Sequence, residues 1–385
     1  MKIAILSHGY SGATLPLARH LAEQGHNVDC YYLCWHGATQ MESMDYGRKM
    51  SALTMEYVIP NKNTLYNYLS ERVTVRIVPF FNPASRSKKV VNMMKQGINK
   101  LHLKMIAQNI SARHYDYVNV IIYTRFDLSI LKHLVHINVS CCVSYHEVLT
   151  DLTCKSALLP VVSEANRLGT PIVVHSQETK ETLLNHASID ESRIHLIHFG
   201  LFESFLQYGE GRTVNGIGRD YLLFLGFIKP YKGLKYLYEA SKHLSSSNNI
   251  KIVVAGGGYD PALEQMKKDT RFIVINRFID NAELVYLMKR SKGIVCPYIG
   301  ASQSGLVQTA MVFGKPVVAT RVGAFPEIIK EGVNGHLANP SDAKDLARSI
   351  HCLFNNNSPY DFSLPSHLDW DTIALQYLEL FHSSK

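Results

Sequence analysis

Two lysines in the segment Gly226–Gly233 have the type and spacing to bind a phosphorylated ligand. Lys229 and Lys232 lie between a predicted buried strand and the glycine that opens a predicted helix. Ammonium groups beside the free N–H groups of a helix N-terminus can neutralise and hold a diphosphate. A solvated turn is the alternative interpretation, because surface lysines are common and each charge-assisted hydrogen bond contributes only about 1.5–3 kcal/mol.

A second segment with similar chemistry follows a later predicted strand. The small residues of Pro297–Gly305 precede a predicted helix at Leu306–Phe313, and a helix N-terminus of this kind favours an anion. Gln303 and Ser304 add side-chain hydrogen-bond donors. Two such segments in one half of the chain indicate a nucleotide diphosphate as the ligand.

Two turns that contain glycine are weaker candidates. The triplet centred on Gly257 would let the backbone approach a ligand closely, although a plain turn explains it nearly as well. The turn from Gly9 to Gly12 follows the first predicted strand but lacks the GxGxxG spacing of a dinucleotide site. Because the next strand also ends without an acid for a ribose, we expect no nicotinamide cofactor.

Alternating strand and helix patterns surround these segments. Such alternation indicates parallel sheets with right-handed crossovers, in which ligands bind beyond the carboxyl ends of the strands. The chain is therefore predicted to be α/β, with two doubly wound domains facing across a cleft. The predicted strands are Lys2–Leu6, Val28–Leu33, Arg76–Phe80, Val118–Tyr123, Ser140–Tyr145, Ile172–His175, Tyr221–Leu225, Ile250–Ala255, Phe272–Ile275, Gly293–Cys296 and Pro316–Thr320.

Length and glycine content suggest where the domains meet. A chain of 385 residues is long enough for two domains at about 150 residues each. The stretch Gln207–Arg219 has the glycine-rich composition of a linker. We predict an N-terminal domain over residues 1–206, a C-terminal domain over 207–365, and a last segment, 366–385, whose helix Trp370–Leu380 returns to the first domain.

Several classes of protein are disfavoured by the sequence. It contains no GxxxxGK[ST], HExxH or GxSxG motif, which argues against phosphate-loop, zinc-protease and nucleophile-elbow enzymes. Seven cysteines without a CxxC pair are expected to be reduced and to hold no metal. No apolar run reaches the roughly 18 residues of a membrane span, and the apolar run between Lys2 and Ser7 is too short for the core of a secretory signal. We expect a cytoplasmic protein.

The net charge of +8 indicates an anionic partner, and the excess is concentrated between residues 84 and 115. In that stretch Met94, Ile98, Leu101 and Met105 recur at helical spacing among lysines. Such a helix can rest on an anionic membrane surface, at about 1 kcal/mol per cation. An ordinary core helix with a solvated charged face is the alternative. Nucleic acid is not expected, because no recognised motif is present and few aromatics lie in the stretch.

The ordered motifs of the C-terminal half resemble those of a GT-B glycosyltransferase of family 4. The matching segments are FLGFIKPYKGL, IVVAGGG, the run from Arg277 to Cys296-Pro297, and AMVFGKPVVATRVGAFPEIIKEGVNGHLA, which together cover roughly residues 221–338. The N-terminal half matches more thinly, through LARHLAEQGHNV, the pair His146-Glu147, IVVHSQETKETLL and IHLIHFGLFESF.

The resemblance implies a retaining transferase that moves a hexose-type sugar from a nucleotide-diphosphate sugar to a glycan or lipid-linked saccharide. The family is thought to need no side-chain nucleophile, cofactor or metal, so the protein's task is to orient the substrates and neutralise the departing diphosphate. The implied catalytic residues are His146, which would face the donor sugar, Lys229 and Lys232. The implied donor-binding residues are Gly9, Gly12, Gly257, Phe278, Ile279, Gln303, Ser304, Gly305 and Thr309, with base contacts made by the backbone near Phe278 and Ile279.

The sequence departs from the family pattern at three places. Two glutamates that often contact the donor are replaced by Ala301 and Thr309, and a common arginine is replaced by Phe227. These changes put the identity of the donor sugar in doubt. They keep two alternatives open: a catalytically silent subunit that binds nucleotide, and a nucleotide-sugar epimerase or hydrolase of the same fold.

Overall fold

The computed structural model describes residues 1–82, 89–122, 125–145, 159–186, 188–244, 250–300, 304–356, 358–363 and 365–383. Internal contacts divide the chain into two compact units. Unit 1 comprises Met1–Thr150, Cys154–Gly200 and Pro365–Lys385, and the described residues of unit 2 lie in Leu201–Leu364.

Strands and helices alternate along the first part of unit 1. The elements are β1 (Lys2–Ser7), α1 (Ser11–Glu23), β2 (Asn27–Trp35), β3 (Gln40–Met41), β4 (Met44–Asp45), β5 (Tyr57–Val58), β6 (Val73–Phe80), α2 (Lys89–Ala112), β7 (Tyr117–Ile122), α3 (Arg125–His136), β8 (Cys141–Tyr145), α4 (Leu159–Arg167), β9 (Ile172–Val174), α5 (Gln177–His186) and β10 (Ile194–Leu196). The main sheet has the order β10-β9-β8-β7-β1-β2-β6-β5 and is parallel except for β5. The strands β3 and β4 form a separate hairpin.

Unit 2 repeats the same alternation around a second sheet. Its elements are β11 (Leu222–Leu225), α6 (Leu234–Ser241), β12 (Ile252–Ala255), α7 (Leu263–Met266), β13 (Phe272–Ile275), α8 (Asn281–Arg290), β14 (Gly293–Cys296), α9 (Gly305–Val312), β15 (Val317–Thr320), α10 (Phe325–Ile328), β16 (Gly335–Ala338) and α11 (Ala343–Asn355). The strand order is β13-β12-β11-β14-β15-β16, and every pair is parallel. The prediction of an α/β chain with two doubly wound parallel sheets is therefore confirmed.

The central strands are short apolar runs because helices cover both faces of a parallel sheet. All four residues of β11 and of β12 are buried, as are those of β14 and β15. In unit 1 the sheet is buried against residues such as Ile106, Ile130 and Val162 on the helices. Continuous burial of this kind explains why apolar runs were a sufficient signal for these strands.

The last helix, α12 (Trp370–Ser383), packs within unit 1. Phe381 stacks on Tyr117 of β7 with ring centroids 3.8 Å apart, and His20 of α1 lies 2.8 Å from a carboxylate oxygen of Asp371. The indole of Trp370 occupies the space that a side chain at Gly200 would need. The final segment is thus tied to the first unit by aromatic and polar contacts.

One predicted helix is clearly shorter in the structure, and another is buried unevenly along its apolar series. The helix expected over Gly233–Ser247 ends at Ser241, where the Arg271 guanidinium hydrogen-bonds to the Ser241 carbonyl oxygen and so caps the last turn. Part of the apolar series in α2 points away from the core, since Met94 is 65% and Leu101 54% exposed, whereas Met105 packs against the core. Asn99 and His102 of the same helix are buried.

None of the helices in the described residues has the combination of length and apolar character that a membrane crossing requires.

Candidate functional site

Three loops of unit 2 meet at the carboxyl edge of its sheet. They follow β11, β12 and β14, and β11 pairs with both of the other strands. Because parallel strands end at the same edge, the loops that begin at Gly226, Gly256 and Pro297 lie side by side. This is the edge where the sequence predicts the ligand.

Backbone hydrogen bonds join the first two loops. The Gly226 N–H donates to the Ala255 carbonyl oxygen at 3.0 Å, and the Ile228 N–H donates to the Gly257 carbonyl oxygen at 2.9 Å. Ile228 also forms an isolated parallel bridge with Gly258. Gly257 is therefore part of a fixed surface beside the lysine segment.

The first loop is also held against the third. Gly233 has a left-handed backbone with φ 71°, and a Cβ there would lie 1.8 Å from the Pro297 carbonyl oxygen. Only glycine fits such an approach without moving the backbone. The Ile299 N–H donates to the Tyr231 carbonyl oxygen at 2.8 Å, which fixes the turn that carries both lysines.

A hydrogen-bonded series connects Lys232 to the start of α9. The Lys232 ammonium donates to the Tyr298 hydroxyl at 2.9 Å, and that hydroxyl lies 3.4 Å from the Ser304 Oγ. Tyr298 is 1% exposed, and burial raises its pKa well above the ordinary value. The phenol is therefore protonated, so it accepts from the lysine and has its own proton for Ser304. Tyr298 thereby connects two residues of the predicted site, Lys232 and Ser304.

Lys229 is exposed and lies over the same turn. Its Nζ is 6.0 Å from the centre of the Tyr231 ring, and it forms no salt bridge with any residue that the structure describes. An exposed ammonium beside a fixed one gives the edge two positive charges. Charges arranged in this way before a ligand arrives are suited to a diphosphate.

The helix α9 begins at the predicted phosphate segment. Ser304 is its N-cap, and among the residues that the structure describes its side chain makes no cap bond to the first N–H groups. These groups carry the positive end of the helix dipole. Thr309 is 3% exposed and donates its hydroxyl to the Gly305 carbonyl oxygen at 2.7 Å, one turn earlier in the helix. The hydroxyl proton of Thr309 is therefore engaged in a hydrogen bond within α9.

The loop after β13 is fixed by charge. The Arg277 guanidinium makes two hydrogen bonds to the Glu283 carboxylate, at 2.7 and 2.9 Å, and this pairing lowers the pKa of Glu283. Asp280 caps α8 by accepting from the Glu283 N–H at 3.0 Å. Phe278 is left 58% exposed and Ile279 is half-buried. An exposed aromatic ring on a rigid loop can pack against a planar ligand.

The turn of unit 1 that contains Gly9 and Gly12 is occupied by a carboxylate of the chain. Glu42, in the β3–β4 hairpin, accepts from the Gly12 N–H at 3.0 Å and from the Tyr10 N–H at 2.9 Å. The Gly9 N–H lies 3.3 Å from the Ser7 Oγ. An anion that bound at this turn would have to compete with Glu42.

His146 and Gln303 lie outside the described residues, as does Ala301. Sequence reasoning missed Tyr298, although an aromatic residue directly after a strand at the ligand edge is a usable signal. It also missed Glu42, which is far from Gly12 in the chain and has no local pattern to reveal the contact.

Part of the chain is similar in sequence to known glycosyltransferases. The profile of the family described as Glycosyl transferases group 1 matches residues 219–356. An uncharacterised glycosyltransferase of Methanocaldococcus jannaschii is 25% identical over 54% of this chain and 59% of its own. A phosphatidyl-myo-inositol mannosyltransferase of Mycobacterium leprae is 26% identical over 42% of this chain and 46% of its own. The chain thus spans about half the length of the curated relatives it matches.

A solved structure shares the fold over the full length. Anabaena HepE, in complex with UDP and glucose, covers 100% of both chains with a TM-score of 0.62 and 17% identity. At this identity the similarity establishes the fold alone. Residues 219–356 of unit 2 thus match the group 1 glycosyltransferase family, and the chain as a whole has the GT-B fold.

Proposed function

We propose that the protein transfers a hexose-type sugar from a nucleotide-diphosphate sugar to a glycan or lipid-linked saccharide, with retention of the anomeric configuration. The observation that carries the proposal is the series Lys232–Tyr298–Ser304, which links an ammonium to the N-terminus of α9. Both ends of this series are chemically suited to the diphosphate of the donor. The family match over residues 219–356 supports the same reaction class.

The donor fits the carboxyl edge of unit 2 in a defined direction. The diphosphate would bind between Lys229, Lys232 and the N–H groups of Ser304 and Gly305. The base would then lie on the loop of Phe278 and Ile279, beside Gly257, whose Cβ position is 3.6 Å from the Phe278 nitrogen. The structural neighbour named above was solved with UDP, which fits a donor of this class.

Catalysis would consist of orientation and charge neutralisation. In a front-face reaction the acceptor oxygen bonds to the anomeric carbon on the same side from which the diphosphate departs. The departing phosphate oxygen takes the acceptor's proton, so no side chain needs to act as nucleophile. The two lysines and the α9 N-terminus would stabilise the negative charge that grows on the diphosphate. They can supply the positive charge that a metal ion provides in other transferases, and we propose that the reaction needs no metal. His146 and the turn at Gly9 and Gly12 remain predicted contributors from unit 1.

The acceptor side would face an anionic membrane through residues 84–115. In α2, Val90, Met94 and Leu101 are 69%, 65% and 54% exposed, and they are accompanied by exposed Lys100 and Lys104. Exposed apolar side chains beside cations are typical of helices that lie on lipid. The mannosyltransferase of Mycobacterium leprae is named for a phosphatidyl-inositol acceptor, which fits a lipid-linked substrate.

We place the reaction on the cytoplasmic side. Among the described residues, Cys30, Cys34, Cys141, Cys142, Cys296 and Cys352 are not in disulfides. Unpaired cysteines are usual where the compartment is reducing.

A panel of nucleotide sugars tests the proposed reaction. Each would be incubated with the full chain and a mixture of lipid-linked and free saccharides, and products would be identified by mass spectrometry and NMR. We expect nucleoside diphosphate to be released. Because the configuration is retained, an α-configured donor should give an α-linked product. An interconverted nucleotide sugar would indicate an epimerase. Binding without turnover of any donor would indicate a silent subunit.

A further inference from the structure

The segment that leads from unit 1 into unit 2 contacts both helices that begin at the proposed donor site. We call residues 202–212 the entry strap. It contains a short 3-10 helix, Glu203–Tyr208, and continues through Gly209 to Arg212 before β11. Its glycines resemble those of a flexible linker in the sequence, but the strap is packed on α8 and α9.

One end of the strap covers the first residue of α9. Phe202 is 9% exposed, and a Cβ at Gly305 would lie 2.2 Å from the Phe202 Cε2 and 2.9 Å from its Cδ2. The ring therefore occupies the space that a side chain at position 305 would take. Gly305 has two neighbours to accommodate, the proposed phosphate on one side and the Phe202 ring on the other.

The other end of the strap is fixed to the first turn of α8. The Asn281 side chain, 5% exposed, donates to the Tyr208 hydroxyl at 3.0 Å. The Arg212 N–H donates to the Ala282 carbonyl oxygen at 2.8 Å, and the Arg212 guanidinium pairs with Asp280.

Between these contacts, the strap passes close to the α8 backbone. A Cβ at Gly211 would lie 2.3 Å from the Ala282 carbonyl oxygen, so a side chain is excluded there as well. Asp280 and Asn281 directly follow Phe278 and Ile279, the proposed base loop. The strap is therefore anchored beside the base loop at one end and beside the phosphate segment at the other.

We propose that the entry strap sets the relative position of the two parts of the donor site, with Phe202 as the positioning residue for the diphosphate end. This inference rests on the proposed function, because it assumes that a nucleotide bridges the α8 and α9 N-termini. Residues that hold two binding groups at a fixed separation lower the cost of ordering them when the ligand binds. Phe202 itself would not touch the donor.

A double-mutant cycle between positions 202 and 305 tests the contact. Gly305→Ala alone places a methyl group against the ring, so it should weaken binding of UDP or GDP to the full chain by about tenfold or more. Phe202→Ala alone should weaken binding about tenfold by leaving Gly305 unsupported. In the double variant the methyl group has room, and we expect the loss to be clearly smaller than the product of the two single losses.

Two further variants separate positioning from general stability. Phe202→Leu keeps an apolar side chain over Gly305 and should restore most of the binding that Phe202→Ala loses. Tyr208→Phe removes one hydroxyl from the base end and should weaken binding of UDP or GDP but not of inorganic pyrophosphate. Thermal unfolding of every variant without nucleotide would be recorded, and equal melting temperatures with unequal nucleotide affinities are the expected signature.

Strictly multiplicative losses in the cycle, or nucleotide affinity unchanged by Phe202→Ala, would overturn the inference while leaving the proposed function intact. If the unmodified chain bound no nucleoside diphosphate of any common base, the proposed function would fail, and the inference with it.

Discussion

At the scale of single residues, the central feature is a lysine whose position is determined by a buried phenol. Lys232 has its ammonium 2.9 Å from the Tyr298 hydroxyl and 4.5 Å from the centre of the same ring. A long flexible side chain is thereby ordered before a ligand arrives, which lowers the entropy lost on binding. The sequence predicted the lysine from its glycine-rich segment. It could not predict the partner, because the contact joins residues from two different strand ends.

Replacing Lys232 by alanine should slow sugar transfer by roughly a hundredfold, as removal of one transition-state charge partner does. The measurement is the steady-state rate of nucleoside diphosphate release. Lys268→Ala is the matched control, since that exposed lysine precedes β13 at the other end of the strand. Turnover equal to that of the control, in a folded variant, would contradict the proposed role.

Replacing Tyr298 by phenylalanine should leave the fold intact and reduce nucleotide affinity by about tenfold, the effect of one lost charge-assisted hydrogen bond. The ring still fills its buried space, while Lys232 and Ser304 lose their shared partner. Calorimetric titration with nucleoside diphosphates measures the effect. A combined Lys232→Ala and Tyr298→Phe variant should be no weaker than Lys232→Ala alone, and full additivity would argue against a connected series.

At the scale of elements, the apolar strands were predictable and the strands interrupted by polar residues were not. The strands β11, β12 and β14 are apolar runs buried at every position, so composition alone locates them. The sequence analysis did not identify β10 or β16, where His195 and His336 interrupt the apolar pattern. The apolar series of α2 allowed either a lipid-facing or a core-facing helix, and the sequence did not reveal that polar groups also hold this helix in place. Asn99 exchanges two hydrogen bonds with the backbone of Phe81, at 2.9 and 2.8 Å.

The ends of β9 and β10 are joined by a buried histidine with a predictable pH effect. His175 donates from Nδ1 to the Ile197 carbonyl oxygen at 2.7 Å, stacks on Phe199, and has its pKa lowered to about 3 by burial. The unfolded chain binds a proton near pH 6.5 and the folded one does not. Stability should therefore fall below that pH, by up to about 1.4 kcal/mol per pH unit, and be unaffected above it.

Urea unfolding at pH 7.5, 6 and 5 tests this effect. The stability advantage of the unmodified chain over His175→Asn should shrink on acidification. Parallel pH profiles for the two proteins would show that the histidine is not the titrating group.

The exposed face of α2 should bind anionic vesicles. Replacing Lys100 and Lys104 by glutamine removes about 1 kcal/mol of attraction per charge, so sedimentation with anionic lipid should drop several-fold for each. Replacing the exposed Lys268 and Lys330 of unit 2 by glutamine is the matched control. Binding that ignored both salt and lipid charge would count against a membrane contact.

At the scale of the whole molecule, two Rossmann-like units divide the proposed work. Unit 2 contains most of the residues proposed for the donor and the segment that the family profile matches. Unit 1 contains α2 and the predicted acceptor side, and α12 at the end of the chain belongs to it. The fold was predictable from alternating patterns. The donor sugar was not, because the two glutamates that often contact the donor in the resembled family are replaced by Ala301 and Thr309.

The central claim is that the carboxyl edge of unit 2 binds a nucleoside diphosphate. Thermal unfolding of the full chain with UDP, GDP and their monophosphates tests it most directly. At one hundred times its dissociation constant, at least one diphosphate should add about 2.7 kcal/mol to the unfolding free energy. The corresponding monophosphate should add clearly less, and Lys232→Ala should abolish the difference. A diphosphate series that stabilises neither protein, or both equally, would contradict the account.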